Sequence, residues 1–393
     1  MKRPVILAAC RTGGGKFGGV LSGFEATDLG GFAIRAALDR SAVPEEEIGE
    51  VIMGNGWQAG VGANPARIAM FKAGMPQSIP AFTVNKRCGS SLRTAMLIAD
   101  RIRLKDIRVG VAGGMESASR TPYILSEARW GHRMGDRKVL DTLHHDGFMC
   151  PLAGMLMGAT AEILAEEYGI TRDEQDAYAL ESHRKAVSAM KNGLFADETF
   201  PVSIRQKKEV VEWASEEIPR EDTSLEKLAR LPAIFKDNGT ITAGSSSALC
   251  DAGSAVIIAD PDWAEANGFR PLAEIAGYGS GALEADHMGL GPVKAVPRAL
   301  EMSGMSLEEM DLIELNEAFA AQVLAVHRAM PFDMERCNVN GGAIALGHPI
   351  GATGTKILAT LIYALRNRDK EFGLATACIG GGQGVAMVIR RLS

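Results

Sequence analysis

The sequence predicts an α/β protein built from more than one packed unit. Short apolar runs alternate with amphipathic helical patterns, glycine-rich turns separate them, and 393 residues exceed what one compact core usually holds. Hydrophobic residues at 46% and charged residues at 23% fit a folded chain with a sizeable core.

Residues 5–9, 51–53, 108–112, 255–259 and 374–377 read as strands, each a short apolar run bounded by turn residues. Residues 93–103 read as a helix, with Leu92, Ala95, Met96, Ala99 and Ile102 on one face. From about 120 to 248 the character of the sequence changes and charge rises, as expected of an insertion folded over the core. Its clearest helix opens at Thr171, with Glu174 at the capping-box spacing, and stops at Asn192-Gly193. Residues 89–114 and 351–382 echo each other as turn, apolar helix, charged loop, apolar strand and glycines. That echo points to a duplicated core.

Bulk properties exclude several classes. A net charge of −6 gives no whole-chain case for nucleic acid or an anionic membrane surface, so a polyanionic ligand must be held by local groups. No apolar run reaches the roughly 18 residues that span a bilayer. The opening apolar run is too short for a signal peptide and the C-terminal Arg-Leu-Ser is not a peroxisomal address, so a cytoplasmic location is expected. Cys10, Cys88, Cys150, Cys250, Cys337 and Cys378 form no Cys-x-x-Cys pair, which argues against zinc, and a chain this large has no need of disulfides.

Four segments carry chemistry. Cys88, in Lys86-Arg-Cys-Gly-Ser-Ser, sits at an expected loop-to-helix junction, where a helix dipole and neighbouring cations favour thiolate. An isolated cysteine is more often a small buried hydrophobe. Residues 340–354 hold five glycines, with His348 between Gly347 and Pro349, a density that marks tight turns and close backbone approach. Residues 377–384 are a strand end, Cys378 and a glycine run, able to offer amides to an oxyanion or simply to turn. Asn316 and Glu317 lie between apolar residues, where the bland reading is a helix cap. Gly13–Lys16 fails as a phosphate loop, because Cys10 and Phe17 stand where the motif needs glycine and Ser or Thr. The pair His144-His145 reads as surface rather than metal ligands, because adjacent side chains diverge.

Taken together and in this order, these segments resemble the thiolase family. The hallmarks are Val84-Asn-x-x-Cys-Gly-Ser, Asn316-Glu-Ala-Phe, Gly347-His-Pro-x-Gly-x-Thr-Gly and Cys378-x-Gly-Gly-Gly-x-Gly, with weaker matches such as Ala9-x-Arg-Thr and Gly113-Gly-Met-Glu-Ser. The resemblance covers essentially the whole chain. It implies a duplicated, five-layered α-β-α-β-α core with an inserted loop domain. One half would comprise residues 1–119 and 249–271, the CoA-binding insertion residues 120–248, and the other half residues 272–393. It implies reversible thiolysis or Claisen condensation of acyl-CoA and 3-oxoacyl-CoA in a ping-pong cycle, with coenzyme A as substrate, no tightly bound cofactor or metal, and a homo-oligomer, dimer or tetramer.

Residue by residue, the resemblance makes Cys88 the acylated nucleophile, His348 its base, and Cys378 the group that moves the α-proton. Asn316 would orient a water in one oxyanion hole, and the amides of Cys88 and Gly380 would form the other. Arg220 would approach the nucleotide phosphate. Leu231, Phe235, Ala243 and Ser247 would line the adenine and pantetheine path, with Met157, Ala318 and Phe319 at the reactive end. Leu156 replaces the histidine of short-chain members and Lys227 a serine of their CoA loop, whereas Met134-Gly-Asp136 and Asp141 look biosynthetic. The alternatives are a decarboxylating 3-oxoacyl synthase of the same fold, which lacks the second cysteine, and a noncatalytic acyl-CoA-binding relative, which loses reactive residues.

Overall fold

The computed structural model describes residues 2–206 and 209–393. Strands β1 (Val5–Arg11), β2 (Ile48–Gly54), β3 (Ala81–Val84), β4 (Val109–Glu116) and β5 (Cys250–Ala259) form one set. Strands β6 (Ala273–Ala282), β7 (Leu312–Leu315), β8 (Phe372–Ile379) and β9 (Gln383–Arg391) form the other. The longer helices are α1 (Ala26–Ser41), α2 (Pro65–Lys72), α3 (Ser90–Arg103), α4 (Met157–Glu167), α5 (Arg172–Lys191), α6 (Gly291–Ser303), α7 (Ala320–Ala329) and α8 (Thr353–Asn367).

The sheet path is β7-β8-β9-β6-β1-β5-β4-β2-β3. Its two ends repeat one pattern. β2 runs parallel to β4, which runs antiparallel to β5, which runs antiparallel to β1. β7 runs parallel to β8, which runs antiparallel to β9, which runs antiparallel to β6. Among the described residues the strand ladders of the two sets meet where Val5 and Ile6 pair with Glu274 and Ala273. The duplication read from the echoed segments is thus present in the topology.

Side-chain packing gives the layers. Leu29, Ile34 and Leu38 of α1 and Met70 of α2 pack on Val51, Val111 and Ile257 of the first set. Leu92, Met96 and Ile98 of α3 and Leu358, Leu361 and Leu365 of α8 lie between Ile52 and Val256 on one side and Ala375, Ile379 and Met387 on the other. Ala295, Val296 and Ala299 of α6 and Val323 and Val326 of α7 cover the far face, against Leu374, Ala386 and Val388. The result is the expected five layers. α8 is buried without a break from Thr353 to Leu365, as a helix walled by two sheets must be.

Each expected strand coincides with an observed one, apart from Arg108, which precedes β4, and the apolar face of α3 is buried throughout. β4, expected to stop at residue 112, continues through Gly113 and Gly114 to Glu116. Those glycines are there for clearance, since a Cβ on Gly114 would stand 2.1 Å from the carbonyl oxygen of Gly351. α5 has the capping box read from the sequence, Thr171 and Glu174 each bonding the other's backbone. The excursion from β4 to β5 is anchored in the core by Arg11. That side chain is fully buried, and its Nη1 and Nη2 each lie 2.5 Å from a carboxylate oxygen, of Glu216 and Glu198 respectively.

Candidate active site

Cys88 follows β3 in a tight turn, Arg87–Gly89, that feeds α3. Side chains fix this turn. Ser90 Oγ donates to the Arg87 carbonyl at 2.6 Å and accepts from Lys86 N–H at 2.8 Å, while Asn85 Oδ1 accepts from Arg87 N–H at 3.1 Å. Gly89 must lack a side chain, because a Cβ there would stand 2.4 Å from Ile379 Cδ1. That contact brings the turn against the end of β8, beside Cys378.

The free thiol departs from the sequence expectation. Burial pushes the Cys88 pKa up, and this outweighs the opposing pull of the Arg87 cation and of the Gly380 and Cys88 amides. Cys88 therefore rests as a thiol. Cys378, almost wholly buried, is pushed further up by burial and by the nearby Cys88 sulfur.

His348 lies on the connection between α7 and α8, 8% exposed. Its backbone N–H donates to the Ala248 carbonyl at 2.9 Å. Its Nδ1 lies 2.6 Å from Thr353 Oγ1, which donates its own proton to the Pro349 carbonyl at 2.9 Å. The hydroxyl must then accept from Nδ1–H, which leaves the lone pair on Nε2. Nε2 is buried and has no partner among the described residues. Burial, helped by the Lys356 and Arg87 cations, pushes the imidazole pKa down to about 3. The ring is neutral at physiological pH.

Two buried groups hold this loop. Lys356 Nζ donates to the carbonyls of Leu346 and Gly347, each at 2.9 Å. Glu116, at the end of β4, accepts from Gly351 N–H at 2.7 Å, Asn55 Nδ2 at 2.7 Å, Gly56 N–H at 2.8 Å and Trp57 N–H at 3.2 Å. One carboxylate thus ties the histidine loop of the second half to a loop of the first. Burial pushes its pKa up to about 7 against the pull of those amides.

Asn316 and Glu317 do not cap a helix, as the bland reading had it, since α7 begins later with Phe319 as its N-cap. Both polar atoms of the Asn316 side chain are buried without partners among the described residues, as expected where a water or substrate oxygen is held. Glu317 is fully engaged. It accepts from Tyr178 Oη and Ser182 Oγ at 2.8 Å, Asn338 Nδ2 at 2.9 Å and Ile344 N–H at 3.0 Å, tying α5 to the glycine-rich loop. Gly380 begins the β8–β9 turn, with Gly381 and Gly382 at φ +91° and +78°. A Cβ on Gly380 would stand 2.7 Å from Met157 Cε. The run therefore serves as a tight turn and also presents the Gly380 amide to Cys88.

A groove of about 710 Å³ leads toward these groups, lined by Leu156, Met157, Arg220, Phe235, Ser247 and Phe319 among others. Its inner end is Met157, which packs in one cluster with Cys378, Ala318 and Phe319, and Ala248, which holds the His348 backbone. A narrower recess of about 160 Å³ adjoins it, walled by Leu231 and Lys227 and sharing Arg220 and Ala243. Ala318 lines neither, and its carbonyl accepts from Ser247 N–H at 3.0 Å. His144, read as a surface residue, is exposed but faces the groove, while His145 pairs with Asp146. Lys16 of the failed phosphate motif lies in a short strand paired to β5 and also borders the groove.

Three features escaped the sequence reading: the reach of Arg87, the Glu116 bridge and the Lys356 prop. A buried charge ending an apolar strand and a lysine inside an apolar helix were the available signals.

The arrangement can transfer an acyl group: two thiols near enough for one to raise the pKa of the other, a neutral imidazole with a free lone pair, an unsatisfied amide side chain and a long groove. The family model described as Thiolase, N-terminal domain matches residues 4–262, and Thiolase, C-terminal domain matches residues 269–391. The chain is 48% identical over 394 residues to the acetyl-CoA acetyltransferase of Escherichia coli (strain K12), covering 100% of both. It superposes on the crystal structure of the Bacillus anthracis acetyl-CoA acetyltransferase at TM-score 0.97, with 40% identity, covering 100% of this chain and 99% of that one. Human mitochondrial 3-ketoacyl-CoA thiolase gives TM-score 0.96 and 41% identity, with the same coverage.

Proposed function

This chain belongs to the thiolase family, and on that premise we propose how its own residues carry the reaction. It is an acyltransferase that reversibly condenses acetyl-CoA with an acyl-CoA to a 3-oxoacyl-CoA and free CoA. Cys88 is the nucleophile. With the proton on sulfur and the imidazole neutral at rest, attack on the thioester carbonyl passes the Cys88 proton to His348 Nε2. CoA leaves as thiolate and takes that proton, and Cys88 is left acylated. The amides of Cys88 and Gly380 hold the oxyanion.

Cys378 works in the second half. While Cys88 can carry charge, its sulfur raises the pKa of Cys378. Acylation removes that charge; Cys378 then passes its own proton to His348 Nε2 and, as thiolate, accepts the α-proton of acetyl-CoA. The enolate oxygen is held by the Nε2–H so formed and a water on Asn316. Its carbon attacks the acyl group, the bond to Cys88 breaks, and the released thiolate recovers the proton from His348. The observation that carries this reading is the buried His348 Nε2, its lone pair unpartnered among the described residues, on a loop fixed by Thr353, and the nearness of Cys88 to Cys378 and to the Gly380 amide supports it.

CoA lies along the groove, its phosphates toward Arg220 and its pantetheine past Ala243, Ser247 and Phe235, with Leu231 at the adenine end. Met157, Ala318 and Phe319 surround the reacting atoms. The same reading makes residues 120–248 the CoA-binding insertion between residues 1–119 with 249–271 and residues 272–393, and makes the chain a cytoplasmic homo-oligomer. Among the described residues no helix is long and apolar enough to cross a membrane. The surfaces self-association would cover are the edge of β3 with Phe82, and Trp130 and Met134.

Mass spectrometry of acetyl-CoA-treated protein tests the central assignment. An added acetyl on the Cys88 peptide is expected, and an acetyl on Cys378 overturns it.

A further inference from the structure

Arg87 is the residue whose conformation the reaction as described leaves unexplained. It stands directly before the nucleophile at φ +48°, a left-handed backbone that a residue with a long side chain adopts only when its surroundings impose it. Its guanidinium turns inward. Nη1 donates to the Asp146 carbonyl at 2.6 Å and Nη2 to the Gly147 carbonyl, both on the segment whose His144 and Phe148 line the groove. Nε is buried with no partner among the described residues, and it lies 3.0 Å from where a Cβ on Gly380 would stand. An unpaired cationic donor is thus held beside the glycine whose amide serves Cys88, at an angle fixed by two carbonyls.

We infer that Arg87 is a positioning residue of the nucleophile: its charge lowers the cost of forming the Cys88 thiolate, and its two carbonyl bonds fix that charge against the wall of the groove. The other groups facing Cys88 cannot replace it. Glu116, at the end of β4, acts in the opposite sense, Cys378 on β8 competes for the same negative charge, and His348 on the facing loop is neutral. Among the described residues the groups that favour the thiolate are Arg87 and the two amides. The left-handed backbone follows, because it is what lets the side chain at position 87 point in while the Cys88 sulfur stays at the turn.

The inference rests on Cys88 being the nucleophile, and the test separates the two. The full chain and its variants Arg87→Leu and Arg87→Lys are alkylated with iodoacetamide across pH 6–10, and the acetyl-CoA-protected label is located by peptide mapping. In the parent that label should fall on Cys88; label elsewhere fails the functional reading, and this inference with it. With Cys88 labelled, Arg87→Leu should slow alkylation about tenfold at neutral pH and move the pH profile upward, whereas Arg87→Lys keeps the parent profile. Rates that converge at high pH, where the thiolate forms in every variant, identify charge as the cause. If Arg87→Leu keeps the parent profile, or Arg87→Lys shifts as far as Arg87→Leu, the guanidinium charge has no such role. Acyl transfer by Arg87→Leu should fall in kcat more than it rises in KM, and an effect confined to KM also overturns the inference.

Discussion

His348 Nδ1 and Thr353 Oγ1 stand 2.6 Å apart, and because that hydroxyl gives its proton to the Pro349 carbonyl, the contact dictates which imidazole nitrogen is free. Thr353→Val keeps the shape and removes the acceptor. The buried Nδ1–H would then lack a partner, at a cost of about 1–3 kcal/mol. Acyl transfer should fall roughly tenfold or more, with thermal stability reduced. A variant with parent kcat would mean the ring is oriented by packing alone.

The two thiols should separate by mutation. Cys378→Ser retains acyl transfer from acetyl-CoA to Cys88, measured as acetyl-enzyme, and loses most condensation and thiolysis, since only the second half moves an α-proton. Equal loss of both would leave Cys378 without a distinct part.

Acid should destabilise the fold through two histidines. Burial lowers His348 to about 3 and His183 to about 4, the latter aided by Arg220. Between those values and the ordinary 6.5, the unfolded chain binds protons that the folded one does not, so stability falls as pH falls through that window. Each histidine should cost about 2 kcal/mol at pH 5 relative to pH 7. Urea melts of the parent and of His183→Asn test this, and the variant should show a shallower acid limb. An unchanged limb would exclude His183.

Leu156 lines the groove beside Met157 and offers no hydrogen bond to a 3-oxo group. The missing donor costs acetoacetyl-CoA about 1–3 kcal/mol, while each buried methylene of a longer tail gains about 0.8 kcal/mol. The parent should favour longer 3-oxoacyl chains, and Leu156→His should move it toward acetoacetyl-CoA in kcat/KM. A parent that already favours acetoacetyl-CoA tenfold would end this reading.

What the sequence made legible was local. The five strand runs, the face of α3 and the cap of α5 depend on spacing within a few residues, and all were found. The reactive segments stood out because glycine density around His348 and Cys378 has few structural uses. The missed features depend on distant atoms. The rise in the Cys88 pKa comes from burial between two layers, which no neighbouring residue reveals, so the adjacent cations read as decisive when they only offset it. Glu317 looked like a cap because its partners lie on α5 and beyond residue 337, and Arg87 gave no sign that it would reach residues 146 and 147.

The middle layer has a consequence for ancestry. α3 and α8 fill it side by side, and just ahead of each stands one reacting group, Cys88 on one chain half and His348 on the other. A symmetric dimer of a single unrepeated half would present identical residues at both helix starts, two nucleophiles or two bases and never one of each. The two starts can differ only where the halves are encoded separately, as they are in this chain. What the duplication gained was therefore asymmetry: a second copy of an old fold became the partner that the first copy could not be for itself.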